Sequence, residues 1–179
     1  ADKGHISSMN RCGEMLKCGI GIQKNNEEAF KYFKEAADKG HILAMNNVGY
    51  MFYKGEGTSI NNEEAAKYFK MASDGGNPES MYRFSAMLVK GQGIEANQEE
   101  SLKLVKMSVD KGYLPAIKSY AQILDFGLGV EQNKEEASKF YKIAADNGSA
   151  ESMFFYAQLL RLGDGVQVDL KEAGRYYKM

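Results

Sequence analysis

Apolar positions recur along this chain in steps of three and four, and the same set returns every 36 residues. Met9, Cys12 and Leu16 describe one helical face. Met45, Val48 and Phe52 repeat it, followed by Met81, Phe84 and Leu88, then Ile117, Tyr120 and Leu124, then Met153, Tyr156 and Leu160. Gly13, Gly49, Ser85, Ala121 and Ala157 keep a small residue on that face. A glycine inside a helix costs about 1 kcal/mol against alanine, so the position predicts close contact with another helix. A second helix follows in each period. Its face is Ala29, Tyr32, Phe33 and Ala36, then Ala65, Tyr68, Phe69 and Ala72, softening to Ser101, Leu104, Val105 and Ser108 in the third. No stretch alternates with period two between turn signals, so no sheet is predicted.

Polar residues punctuate the pattern at the same interval. Asn25, Asn61, Asn97, Asn133 and Asp169 stand where an N-cap belongs, and Glu28, Glu64, Glu100, Glu136 and Glu172 follow at capping-box spacing. The two helices of each period are joined by a Gly-x-Gly loop: Gly19 and Gly21, Gly55 and Gly57, Gly91 and Gly93, Gly127 and Gly129, Gly163 and Gly165. These ten glycines are expected to be structural. Each period closes on a glycine turn at Gly4, Gly40, Gly76, Gly112 or Gly148. An insertion-free period of this length is the signature of a stacked array whose units cover one another's apolar faces. The expected organisation is a single array over 1–179. Residues 1–4 end a preceding repeat, full repeats cover 5–40, 41–76, 77–112 and 113–148, and 149–179 form an incomplete last one.

These columns resemble the Sel1-like repeat (SLR) family, relatives of the tetratricopeptide repeats. In the second unit the family pattern meets Ala44, Val48, Gly49, Phe52, Gly55, Gly57 and Thr58. It then meets Asn61, Ala65, Tyr68, Phe69, Ala72, Ser73 and Gly76. The resemblance implies an all-α fold, a right-handed α/α superhelical solenoid of about five 36-residue helix-turn-helix repeats, with a concave face lined by first helices. It also implies an adaptor function, of the kind such proteins serve in signalling, membrane-protein quality control and cell-wall regulation. Some secreted bacterial members carry a disulfide in each repeat and are linked to β-lactam binding. The repeated cysteine pairs of that branch are absent here.

Composition narrows the partners. The formal net charge is −1 and neither Lys nor Arg gathers into a run, unlike a nucleic-acid stripe or a polybasic membrane patch. No apolar run reaches the roughly 20 residues of a membrane span. Cys12 and Cys18 lie six residues apart on one predicted helix and point to different faces. Cys12 is expected in the core and Cys18 as a surface thiol, a pattern that leans towards a reducing, cytoplasmic compartment. Neither end carries a polar capping helix. The expectation is therefore a segment of a longer protein, whose uncapped ends offer a route to self-association.

Shared motif residues serve the fold, so binding is expected where repeats differ, on first-helix positions facing away from the core. By tetratricopeptide geometry the concave columns begin at Asn10, Glu14 and Lys17, with Arg11 and Ser7 beside them. They continue as Asn46, Tyr50 and Tyr53; Tyr82, Ala86 and Val89; Lys118, Gln122 and Asp125; and Phe154, Gln158 and Arg161. Asn47, Arg83 and Phe155 flank them. Tyrosine, arginine and asparagine combine large amphipathic area with hydrogen bonding, which suits a peptide or a partner domain.

Other chemistries find less support. Gly-x-Gly here closes a helix, with Lys24 at the place of a dinucleotide fingerprint's third glycine. His5 and His41 occupy equivalent turn positions one repeat apart, without converging ligands or a nucleophile. Glu27/Glu28 and Glu135/Glu136 sit in first helical turns, where they serve the dipole. Met9, Met45, Met81 and Met153, with Met15, Met51 and Met87, fall in core columns. Asn147-Gly148-Ser149 is a glycosylation sequon that matters only in a secretory pathway. No catalytic set, metal or cofactor is expected. The remaining alternatives are a structural or regulatory segment of a larger assembly and, less favoured, a β-lactam-binding or hydrolysing protein.

Overall fold

The computed structural model describes residues 3–179. Ten helices and no strand occur among them: α1 (Lys3–Cys18), α2 (Asn26–Asp38), α3 (Ile42–Lys54), α4 (Asn62–Asp74), α5 (Pro78–Lys90), α6 (Gln98–Asp110), α7 (Leu114–Phe126), α8 (Lys134–Asp146), α9 (Ala150–Leu162) and α10 (Leu170–Tyr176). Odd-numbered helices are the predicted first helices and even-numbered ones the second. The chain forms two compact units, one ending at Leu104 and one running from Val105 to Met179.

Each second helix starts as the N-cap residues predict. The Asn61 side-chain oxygen accepts the Glu64 amide at 3.1 Å, and Asn25, Asn97, Asn133 and Asp169 do the same for the amides of Glu28, Glu100, Glu136 and Glu172. The reciprocal half of a capping box is not made. The N-cap backbone amide is already committed to the first helix of its own repeat, from Asn61 to the Phe52 carbonyl at 3.0 Å and from Asn97 to the Leu88 carbonyl at 3.1 Å. Glu28 instead accepts from the Asn25 side-chain amide at 3.3 Å. The cap therefore pins one helix to the other as well as starting it.

The first glycine of each Gly-x-Gly ends a first helix in the left-handed conformation, with φ of 70° at Gly55 and 63° at Gly91. Gly19, Gly127 and Gly163 adopt the same conformation at the ends of α1, α7 and α9. The second glycine does something the spacing alone did not reveal. A Cβ on Gly57 would lie 2.1 Å from the Asn26 carbonyl oxygen, and one on Gly93 would lie 2.2 Å from the Asn62 carbonyl. In the second unit, a Cβ on Gly165 would lie 2.4 Å from the Lys134 carbonyl carbon at the start of α8. The loop backbone of one repeat thus rests directly on the second helix of the repeat before it.

That close approach is not shared by every second glycine. Gly21 has nothing within 4 Å of an added Cβ, since no second helix precedes α1 among the described residues. Gly129 has the motif's left-handed backbone, with a φ of 74°. The five second glycines therefore share a backbone conformation but not a single packing role.

In the first unit, the fully buried rings of Phe33 and Phe69 press on the small-residue column. A Cβ on Gly13 would come within 2.7 Å of the Phe33 ring, and one on Gly49 within 2.9 Å of the Phe69 ring. Burying each ring contributes about 1.5–3 kcal/mol. Phe30 meets Phe52 edge-on at 5.1 Å, and Phe52 stacks on Tyr68 at 6.0 Å, so aromatic contact continues from one repeat to the next. Where serines replace alanines, Ser101 Oγ donates to the buried Ser85 carbonyl at 2.9 Å. In the second unit, Tyr141 takes the place of Phe33 and is completely buried. Its hydroxyl donates to Asp125 Oδ2 at 3.2 Å.

Three expectations change. Cys12 is exposed, although Val48, Phe84, Tyr120 and Tyr156 on its column are not, because no helix precedes α1 among the described residues to cover it. Met15 is 39% exposed, whereas Met51 and Met87 on its column are buried. His5 and Gly4 lie inside α1 and not in a turn; Ser8 Oγ donates to the Gly4 carbonyl there. Residues 1 and 2, assigned above to the end of a preceding repeat, lie outside the described residues. His41 is a cap: its Nδ1 accepts the Ala44 amide at 3.2 Å.

Candidate functional site

The exposed sides of α1, α3 and α5 form one face of the first unit, and polar side chains stitch the three helices together. Asn47 Nδ2 donates to Asn10 Oδ1 at 3.2 Å, and Asn10 in turn donates to Glu14 at 2.8 Å. Ser80 Oγ donates to Asn46 Oδ1 at 2.8 Å, while Asn46 Nδ2 donates to Glu79 Oε2 at 3.3 Å. Arg83 closes the series with Nε and Nη2 both on Glu79 Oε1, at 2.8 and 2.6 Å.

Tyr50 sits at the centre, half-buried. Lys17 Nζ, from the preceding first helix, lies 4.3 Å from its ring centroid, and Arg83 Cζ, from the following one, lies 4.8 Å away. Contacts of this kind contribute about 0.5–1 kcal/mol each at exposed sites. Lys17 also approaches Glu56 at 3.7 Å. An open groove of about 540 Å³ runs over this ring, lined by Lys17, Cys18, Lys24, Asn46, Asn47, Tyr50, Glu56, Glu79 and Arg83. Arg83 also borders a smaller neighbouring cavity of about 120 Å³, formed by Tyr53, Phe69, Tyr82, Ala86, Met87, Lys90 and Gln92.

The predicted residues therefore divide. Asn47, Tyr50, Tyr53, Tyr82 and Arg83 line the groove or its neighbouring cavity. Asn46 borders it but is only 8% exposed, and Asn10 on the same column is 4% exposed, because the next repeat's residues cover them. Their part is to hold helix to helix. Asp125 is buried for a different reason, against Tyr141 on the second helix of its own repeat. In the second unit Lys118 and Gln122 both bind Glu151, at 2.7 Å each, so those two side chains join α7 to α9. The Lys118 ammonium holds the Glu151 carboxyl below its ordinary range. Phe154 is 49% exposed, Arg161 is exposed, and Gln158 is half-buried. Phe155 stacks on Tyr141 at 5.2 Å.

Sequence reasoning missed Lys24, Glu56, Glu79 and Gln92. Glu56 and Gln92 are the middle residues of Gly-x-Gly loops, a column that reads Ile20, Glu56, Gln92, Leu128 and Asp164. The two glycines are uniform while the residue between them is not, and that contrast is a signal the sequence carries. A second missed signal is charge segregation. Around the groove and cavity of the first unit stand Lys17, Lys24, Arg83 and Lys90 against Glu56 and Glu79, although the whole chain is −1. Among the described residues, no group of three or more His, Cys, Asp or Glu side chains converges as metal ligands would, and no helix is long and apolar enough to cross a membrane.

Paired helices, capped and joined alike in every period, define an α/α solenoid of the tetratricopeptide-like class. The Sel1 repeat model matches residues 6–41, 42–77, 78–113, 115–149 and 150–179, and the chain belongs to that family. Members of the family generally serve as protein-interaction scaffolds. The fold is similar to that of a Sel1 repeat protein from Oxalobacter formigenes, with a TM-score of 0.90 and 29% identity over 97% of this chain and 71% of that one. It is also similar to a protective antigen of uropathogenic Escherichia coli strains that displays the SLR fold, with a TM-score of 0.91 and 22% identity. That match covers 98% of this chain and 38% of the antigen. No curated protein matches the chain.

Proposed function

We propose that this chain is a non-catalytic scaffold and that the first-helix face of its first unit holds a peptide or a segment of a partner protein. The observation that carries the reading is Tyr50, an aromatic anchor in an open groove with Lys17 and Arg83 over its ring. Large amphipathic side chains already fixed by their neighbours lose little freedom on binding, so more of their contact energy becomes affinity. The test places a photo-crosslinking residue at exposed Val89, on the Tyr53 column, and in a second protein at exposed Lys31 on α2. The expected result is protein adducts from position 89 that disappear in a Tyr50→Ala/Tyr53→Ala/Arg83→Ala background of unchanged helicity. Adducts from position 31 alone, indifferent to the triple substitution, would overturn the reading.

A second reading, a structural segment that packs on neighbouring molecules, is favoured by one observation in the second unit. Phe126, Phe154 and Tyr177 are 56%, 49% and 44% exposed and are linked through ring contacts that include Phe155. Concentration-dependent sedimentation abolished by Phe154→Ser would support it; a monomer at all concentrations would exclude it.

A further inference from the structure

We infer that the groove over Tyr50 takes an extended acidic peptide segment, which seats one small aliphatic side chain in the adjoining cavity while its flanking carboxylates meet Lys24 and Lys90. This rests on the reading of the face as a docking surface and adds the chemistry of its occupant.

The charge argument turns on which cations are already neutralised. Lys17 and Arg83 have Glu56 and Glu79 beside them. Lys24 and Lys90 have no ion-pair partner among the described residues, and they border different parts of the site, Lys24 the groove and Lys90 the cavity. The positive excess is thus carried by two separated ammonium groups. Such an arrangement steers and orients an acidic partner, and it raises association rate and specificity more than raw affinity.

The cavity supplies the second element. Tyr53, Phe69, Tyr82, Ala86 and Met87 give it mostly apolar walls, and its small volume of about 120 Å³ suits one compact apolar side chain. Because Arg83 borders both spaces, one extended segment can cross from groove to cavity. The mostly apolar cavity favours a peptide over a nucleic acid, which carries no aliphatic side chain to seat in it.

The test measures fluorescence anisotropy of labelled, amidated peptides with the whole chain. The first probe is Glu-Glu-Glu-Val-Glu-Glu-Glu. Companions replace Val by Gly, all Glu by Gln, or all Glu by Lys, and an oligouridylate is the nucleic-acid probe. The first peptide should bind, weaken as salt rises, and lose about tenfold in affinity with Lys24→Gln/Lys90→Gln. Ala86→Trp, at an exposed helical position, should fill the cavity and remove the advantage of Val over Gly. Circular dichroism confirms that each variant is folded. Equal binding of the Gln peptide, tighter binding of the Lys peptide, oligouridylate competing at the same place, or no binding by any probe would each overturn the proposal. If position-89 adducts persist while the acidic probes fail, the docking face stands and only its chemistry is wrong; loss of both removes both.

Discussion

Alanine at Gly93 should destabilise the chain well beyond alanine at Gly91, although the two glycines share a loop and a left-handed backbone. Gly91 has φ 63° and Gly93 has φ 69°. An L-residue in that region costs about 1–2 kcal/mol, which both substitutions incur. The surroundings differ. At Gly91 the nearest atom to a new Cβ is the Ala96 Cβ at 3.6 Å, an ordinary contact. At Gly93 the nearest atoms are the Asn62 carbonyl carbon and oxygen at 2.2 Å and the Glu63 nitrogen at 2.5 Å. Those are backbone atoms at the start of α4, so relief requires moving a loop away from a helix by more than 1 Å. Overpacking of this kind adds about 1–3 kcal/mol, for a total of about 2–5. Gly21 supplies an internal control. It stands on the same column as Gly93 and has φ 73°, yet nothing lies within 4 Å of its added Cβ. Urea unfolding followed by circular dichroism should give Gly21→Ala and Gly91→Ala similar midpoints. The Gly93→Ala midpoint should fall about 0.5–1.5 M below theirs, from the clash divided by a typical denaturant slope. Equal midpoints for all three would refute the close-approach argument and leave conformational strain as the glycines' only role.

Two further predictions concern titratable groups. Burial pushes the Tyr141 hydroxyl well above the ordinary tyrosine value, with the Asp125 charge adding to it, so the folded chain holds that proton more tightly than the unfolded one. The resulting stability is complete below the unfolded value of about 10 and is lost as pH rises beyond it; Tyr141→Phe should flatten this alkaline loss and cost about 1–3 kcal/mol near neutrality by leaving Asp125 without its donor, as read by urea unfolding across pH. For Glu151 the sign is opposite. Its pKa is lowered by Lys118, so its contribution is present above the ordinary glutamate value and fades as pH falls through the folded one. NMR titration should place the Glu151 midpoint below the ordinary glutamate value, and Lys118→Met should return it towards that value. An unchanged midpoint in Lys118→Met would show that the ion pair does not form in solution.

Features that depend on one helix or one turn were legible in the sequence. N-caps at Asn25, Asn61, Asn97, Asn133 and Asp169, the helix-ending glycines and the small residues beneath Phe33 and Phe69 need only local geometry and period. Legibility fell where burial depends on what the next repeat contributes. Asn10, Asn46, Tyr82, Lys118 and Phe154 share one column, yet they run from buried to half exposed. Asn46 is covered because Ser80 and Glu79 reach back from α5, and Lys118 is engaged because Glu151 reaches back from α9. Helical periodicity assigns a direction to each side chain but does not say which partner meets it there. Cys12 shows the same dependence in reverse: its column is apolar and buried elsewhere, and it is exposed where no preceding helix packs among the described residues.

The Gly-x-Gly loop shows how one short element serves both fold and partner. Its first glycine turns the chain out of the first helix, and at Gly57, Gly93 and Gly165 its second lets the loop touch the neighbouring repeat's backbone. Both are fixed by backbone geometry and can carry no recognition. At Glu56 and Gln92 the residue between them stands beside the first-helix face. Glu56 borders the groove and stands 3.7 Å from Lys17, while Gln92 borders the cavity. In the second unit Asp164 pairs instead with Lys134, raising that lysine's pKa through a direct hydrogen bond. Exchanging the middle residue therefore changes the side chain presented there while the two glycines that set the loop's backbone stay the same, so an array of uniform backbone can present a different surface at each step.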